Sequence, residues 1–157
     1  MERGLVVIGC QQSKLELAGK KYEKKLMEFI ASNRRVYRNI IGVVRDSNFN
    51  ASAAKNFLKE RDQIGNVGMN LLPFEVDEYI AVPGYDIDVS KFRRDAQIQY
   101  DIVGISTGAS VITAAMSMYS NGMNVRVLSD LCTDRKGIKC HEAAILLMSN
   151  YMPGCVI

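Results

Sequence analysis

Short apolar runs that stop at a glycine or proline, each followed by a stretch with apolar residues at helical spacing, restrict this chain to an alternating α/β architecture. Leu5-Val6-Val7-Ile8 is a continuous β-branched run ended by Gly9, as in a strand buried on both faces of a parallel sheet. Leu15, Ala18, Tyr22, Leu26, Phe29 and Ile30 then recur at helical spacing, with Lys20, Lys21, Lys24 and Lys25 on the solvated side. The pattern repeats along the chain. Residues 36–44 predict a second strand, Tyr79-Ile80-Ala81-Val82 a third stopped by Pro83-Gly84, Asp101 to Ile105 a fourth, and Val125 to Leu128 a fifth. Cys155-Val156-Ile157 reads as a short sixth strand.

Helices are expected over residues 52–59, over 91–98 with Ser90 as N-cap, over 109–120 and over 138–151. Val111, Ala115, Met118 and Tyr119 form the inward face of the third. Ala144, Leu147, Met148 and Tyr151 form that of the last. Gly65-Asn66-Val67-Gly68 reads as a loop. The 157 residues make one domain, 1–157, without repeat, linker or low-complexity tract. Six strands with intervening helices predict a three-layer, doubly wound, mainly parallel sheet.

Composition excludes more than it names. With 48% apolar and 24% charged residues the chain is ordinary globular material, and a net charge of +3 is too small to imply nucleic acid or an anionic membrane. No apolar run approaches the roughly 20 residues of a membrane-spanning helix, and the apolar start is too short for a signal peptide. A cytoplasmic protein is expected. Cys10, Cys132, Cys140 and Cys155 form no CxxC pair, and His141 is the single histidine, so neither a metal nor another cofactor is expected.

In a doubly wound sheet ligands bind outside the carboxyl ends of the strands. That places Gly9 to Gln12, Arg45 to Asn48, Val82 to Asp86, Ser106 to Ser110 and Asp130 to Thr133 at the crevice. Neither GxGxxG nor GxxxxGK[ST] occurs there, which removes dinucleotide and P-loop readings. The Ser106-Thr107-Gly108-Ala109-Ser110 turn opens a helix with small residues. Its backbone N–H groups suit an anion or oxyanion, although such a turn also exists without any ligand.

The stretch from Ile102 to Val111, with Gly104, Thr107 and Ser110 in register, resembles the G-x-x-T-D-x-C-V signature of isochorismatase-like and nicotinamidase-related cysteine hydrolases. The likeness continues through Thr113-Ala114, Gly122, Val125-Arg126-Val127, Asp130 and His141-Glu142-Ala143-Ala144. Leu5 to Gln11 resembles the family's opening L-V-I-D-x-Q strand, and Asp46-Ser47-Asn48 falls at its D-x-H segment. The resemblance implies the isochorismatase-like fold and an Asp-Lys-Cys triad in which the thiolate attacks an amide or ester carbonyl.

None of the three triad residues is present at its matching position. Gly9 stands at the aspartate, Ser110 at the cysteine, and Val82 at the lysine, with Lys91 an alternative match for the last. A serine hydroxyl needs an adjacent base to attack. Cys10 alternates to the other face of its strand, and His141 is the remaining base to pair with Ser110. The metal ligands implied by the resemblance are equally depleted: Asp46 remains, Asn48 replaces one histidine and Ala54 lies near the other, a poor donor set for zinc or iron.

The expected function is therefore a catalytically inactive relative that binds, and sequesters, a small molecule in a vestigial pocket, wider and less polar than the family's. The pocket candidates are Gly9, Gln11, Asp46, Asn48, Val82, Lys91, Ser106, Thr107, Gly108 and Ser110. Arg45, Lys91, Arg93 and Arg94 are available as anion contacts for a nucleotide-derived ligand, an amide being the other ligand class, and equally read as solvated surface charges. A divergent hydrolase of a C–N or ester bond with Ser110 or Cys10 as nucleophile, and a structural subunit of an oligomer, are the alternatives. The resemblance also implies a homo-oligomer, with Met116, Met118, Met148 and Met152 as residues that either face a partner or fill the core. No nucleic acid or membrane partner is expected.

Overall fold

A computed structural model describes residues 1–45, 72–82 and 84–157. Its elements in chain order are β1 (Glu2–Ile8), α1 (Gln12–Ala18), α2 (Lys20–Asn33), β2 (Asn39–Arg45), β3 (Glu78–Val82), a 3-10 turn (Val89–Lys91) and β4 (Ile98–Ile105). A π-helical turn (Thr107–Val111), α3 (Ile112–Ser120), β5 (Asn124–Thr133) and α4 (Ile138–Tyr151) complete it. The five strands form one sheet in the order β3-β2-β1-β4-β5, and every pairing is parallel.

Side-chain alternation along the strands divides the interior into two cores. Leu5 and Val7 point under α1 and α2, where they meet Leu15, Leu26, Ile30, Ile40 and Val103. Val6 and Ile8 point to the opposite face, against Val43, Ile102, Val111, Ala115, Met118 and Met148. Burial on both faces is what the unbroken β-branched runs require. Because β2 and β3 lie on one side of β1 while β4 and β5 lie on the other, the strand order reverses between β1 and β4. The crevice between their carboxyl ends is the switch point.

Gly104 holds that junction tight. Its φ is +141°, and a Cβ there would lie 2.1 Å from the Ile8 carbonyl oxygen, so no side chain fits between β1 and β4. The β4–β5 register shifts between Ile102 and Gly104, which lets β5 run on to Thr133, well past the predicted Leu128.

Several expectations are corrected. The described sheet has five strands; the expected sixth is reduced to a Val127–Val156 bridge, closed by hydrogen bonds from Val127 N to Cys155 O and from Ile157 N to Val127 O. The helix expected over 91–98 is a single 3-10 turn. Asp88, not Ser90, caps it, accepting from Ser90 N at 3.0 Å and Ser90 Oγ at 2.6 Å. The chain then makes a turn in which Ile98 N donates to the Asp95 carbonyl at 2.9 Å, and Ile98 pairs with Glu2 at the start of β1.

The first helical pattern is two helices, broken at Gly19 with φ +95°. The second strand begins at Asn39 rather than at position 36. Helix α4 keeps its predicted bounds, but Leu147 and Tyr151 are exposed and only Ala144 and Met148 are buried on it. It packs beside the edge strand β5 and buries a narrow i, i+4 stripe. Tyr119 on α3 is likewise outward. Met118, Met148 and Met152 are fully buried and Met116 is partly so, which makes the methionines core rather than interface. The predicted helix over 52–59, the loop at 65–68, Pro83, Asp46, Asn48 and Ala54 lie outside the described residues. No helix of the described residues is long and apolar enough to cross a membrane.

Candidate functional site

At the carboxyl end of β1 the chain turns sharply at Gly9, whose φ is +63°. A Cβ at this position would meet the Ile105 carbonyl oxygen at 2.3 Å, so glycine is required by backbone contact as well as by conformation. The volume beyond is filled by Lys14 from α1, whose Nζ lies 3.1 Å from that Cβ position. Lys14 is 5% exposed. An ammonium therefore stands just beyond Gly9.

After β4, the cis Ile105–Ser106 peptide leads into the π-helical turn that carries Ser110. Gly9, Lys14, Val82 and Ser110 surround a hollow of only about 10 Å³, closed by Tyr85, Ile87 and Ala114. That is room for one water. Gly9, Val82 and Ser110 therefore line one small hollow, and Lys14 stands in it where a wider, less polar pocket was expected.

A larger cleft of about 240 Å³ opens beside the hollow. Lys14, Tyr85, Ser106, Gly108, Ala109, Ser110, Asp134, Arg135, Lys136 and Cys140 line it. Its far wall is tied to the Ser110 turn by hydrogen bonds. Asp134 Oδ2 accepts from Gly108 N at 2.6 Å, Asp134 Oδ1 accepts from Lys136 N at 2.8 Å, and Ser106 Oγ accepts from Arg135 N at 3.4 Å. The protein's own carboxylate thus takes the Gly108 N–H that sequence reading offered to an anion.

The other sequence-predicted residues divide. Thr107 is fully buried and its Oγ1 meets His141 Nδ1 at 2.8 Å, so His141 braces the turn from α4. Neither lines the cleft. Gln11 is also fully buried; its carbonyl accepts from Lys14 N and Leu15 N to start α1. Lys91 and Arg93 are misplaced by the sequence reading: both line a separate cleft with Glu2, Asn39, Glu78 and Ile98, at the amino ends of the strands. Lys91 therefore cannot supply the missing lysine beside Ser110.

Cys10 lies on the α1–α2 side of the sheet, fully buried, and its thiol donates to the Ile8 carbonyl at 3.4 Å. Burial pushes it up to about 12, against a smaller downward pull from Tyr22 and Lys14. A thiol in that setting is inert. Cys132 is pushed up to about 12 by the same cause, and burial raises Tyr22 well above the usual tyrosine range. Among the described residues no cluster of three or more His, Cys, Asp or Glu is placed to hold a metal ion.

Lys14 is the site residue that sequence reading missed. The signal was present: it sits four residues before Ala18 and beside Leu15, on the buried stripe of an otherwise amphipathic helix.

Sheet order, switch point and the strand-to-helix turn at Ser110 together define a parallel, doubly wound α/β fold. Comparison with solved structures specifies it. The chain superposes on an isochorismatase-like hydrolase from Alkaliphilus metalliredigens with a TM-score of 0.72 at 14% identity, covering 100% of this chain and 94% of that one. It superposes on an isochorismatase family protein from Desulfovibrio vulgaris at 0.72 and 15%, covering 98% and 93%. For the nicotinamidase of Staphylococcus aureus the values are 0.66 and 20%, covering 98% and 96%. The fold is thus the isochorismatase-like one. No family model matches the sequence, and no curated protein matches it.

Proposed function

We propose that this protein binds a small anionic molecule in the cleft beside Ser110 and does not cleave it. One observation carries the reading: backbone contact excludes any side chain at Gly9, and the Lys14 ammonium fills the space where a catalytic carboxylate would act. A base of opposite charge cannot be recovered there by side-chain movement. Among the described residues, Lys14, Arg135 and Lys136 line the cleft with one carboxylate, Asp134, which favours an anion, and the Ser106 and Ser110 hydroxyls and Tyr85 add hydrogen-bonding groups to the same walls.

The test is a thermal shift with nicotinate, nicotinamide and adenosine monophosphate. A ligand at 100 times its Kd adds about 2.7 kcal/mol, or roughly 5–10 °C for a chain of this size. Anionic ligands are expected to raise the midpoint and the neutral amide to leave it unchanged. Lys14→Met should weaken the anion at least tenfold. Stabilisation by nicotinamide alone would overturn the charge argument, and no shift with any anion would leave a structural subunit as the better reading.

A second reading is supported by one fact: Ser110 and Lys14 line both the hollow and the cleft. A lysine beside a serine is an arrangement from which an acyl-transfer nucleophile can be built. Labelling of Ser110 by a fluorophosphonate, lost in Lys14→Met, together with amide turnover lost in Ser110→Ala, would favour a hydrolase over a binding protein.

A further inference from the structure

The cleft at the amino edge of the sheet has a volume of about 310 Å³, larger than the one beside Ser110, and lies at the other end of the strands. Among the described residues its lining carries four cations, Arg3, Arg38, Lys91 and Arg93, against two acids, Glu2 and Glu78. Asp101, fully buried on β4, is shared by two guanidinium groups: Arg3 donates to Oδ2 at 2.5 Å, and Arg126 donates to Oδ1 and Oδ2 at 2.8 and 2.9 Å. The Tyr37 hydroxyl also donates to Oδ2, at 2.8 Å. Glu2 is shared in the same manner, by Arg38 and, at 3.7 Å, by Arg93. Arg93 also donates to Asp95, at 3.3 Å, so three acids serve four arginines. Lys91 adds a fifth cation: its backbone N–H donates to the Asp88 carbonyl and its ammonium attracts the exposed Asp88 carboxylate, with no side-chain hydrogen bond or ion pair among the described residues; Glu78 is the other acid on the lining.

The inner half of this array is rigid and the outer half is free to move. Arg3 is fixed by the buried Asp101 and stacks over the Tyr37 ring at 5.3 Å. Its Nε is buried without a hydrogen-bond partner among the described residues. Arg38 and Arg93 are more than half exposed, and exposed ion pairs of this kind are weakly held. They can therefore turn, Arg38 from Glu2 and Arg93 from Glu2 and the exposed Asp95, onto a better acceptor.

We propose that this amino-edge cleft binds a phosphate-bearing small molecule, held between Arg38, Arg93 and Lys91 with Arg3 as the fixed floor. A phosphate offers several acceptor oxygens and about two negative charges, which matches a lining of four cations against two acids better than a single carboxylate does. This site is independent of the proposal for the Ser110 cleft.

The experiment titrates the full chain with inorganic pyrophosphate and follows backbone amide shifts, with adenosine as a phosphate-free control. Saturable shifts at Gly4, Asn39 and Lys91 are expected, weakened at least tenfold in a Lys91→Gln, Arg93→Gln variant and by added salt, and unchanged in Lys14→Met. Circular dichroism confirms that the variants fold. Shifts confined to Gly108, Ala109 and Ser110, equal affinity in the double variant, or the absence of saturable binding would each overturn the proposal.

Discussion

The two ends of the parallel sheet both present cations, yet they are assembled from different parts of the chain. At the amino edge the charges around the buried carboxylate stand on the strands: Arg3 on β1, Asp101 on β4 and Arg126 on β5 are brought side by side by register, since Leu5 pairs with Asp101 and Asp101 with Arg126, while Arg38, Lys91 and Arg93 at the rim come from connections. At the carboxyl edge the charges come from a helix and a loop, with Lys14 on α1 and Asp134, Arg135 and Lys136 after β5. Ion pairs fixed by strand register are part of the scaffold. Groups supplied by connections can be exchanged without disturbing it, and in a doubly wound sheet that is where ligand chemistry is found.

The contrast is open to test, and the largest effect is expected at the amino edge. Asp101→Ala leaves Arg3, Arg126 and the Tyr37 hydroxyl facing a cavity with no acceptor, and should cost about 3–5 kcal/mol in urea unfolding. A loss below about 1 kcal/mol would show that the network is not part of the scaffold.

Next is Gly9→Asp at the carboxyl edge. It should cost about 2–3 kcal/mol through the positive φ and the clash with the Ile105 carbonyl, and should yield no amide turnover. A stable, active variant would mean that Lys14 and the turn adjust easily.

Alkaline titration comes third. The native state holds the Cys10 and Cys132 protons up to about pH 12, whereas the ordinary value for the thiol is 9.0. The stability these thiols contribute is complete below pH 9 and is lost as the pH rises toward 12, at about 1.4 kcal/mol per pH unit for each. Unfolding curves from pH 8 to 11 read the slope, and Cys10→Ala should flatten it. In the native protein at pH 8, Cys140 and Cys155 should react with a thiol reagent far faster than the buried pair.

The smallest effect is assigned to Arg38→Ala, which removes an exposed partner of Glu2 and should change stability by less than about 1 kcal/mol. A larger loss would extend the rigid scaffold to the rim of the amino-edge cleft.

Much of the frame was readable before folding. The β1 run and the Ile138–Tyr151 helix stand where periodicity put them, because both bury continuous or evenly spaced apolar surface. Ser110, Gly9 and Val82 were placed around one point by their positions at strand ends alone. The errors share a cause. Lys91 and Arg93 follow a strand whose carboxyl end faces the site, but a 3-10 turn in place of a helix carries the chain back to the amino edge before they appear. Leu147 and Tyr151 fit a helical stripe, yet an edge strand offers α4 too little surface to cover them. Apolar spacing tells which residues prefer burial and says nothing about how wide the opposing surface is.

The sequence by itself determined a doubly wound parallel sheet with Gly9 and Ser110 at the carboxyl ends of its strands, because both are properties of local pattern and residue identity. Only the tertiary structure decided what surrounds them. Gly9 looked like an empty position. The Ile105 carbonyl at 2.3 Å from its would-be Cβ and the Lys14 ammonium just beyond make it a filled one of opposite charge. That reversal depends on where α1 docks against β1 and β4, and no spacing along the chain encodes such a distance.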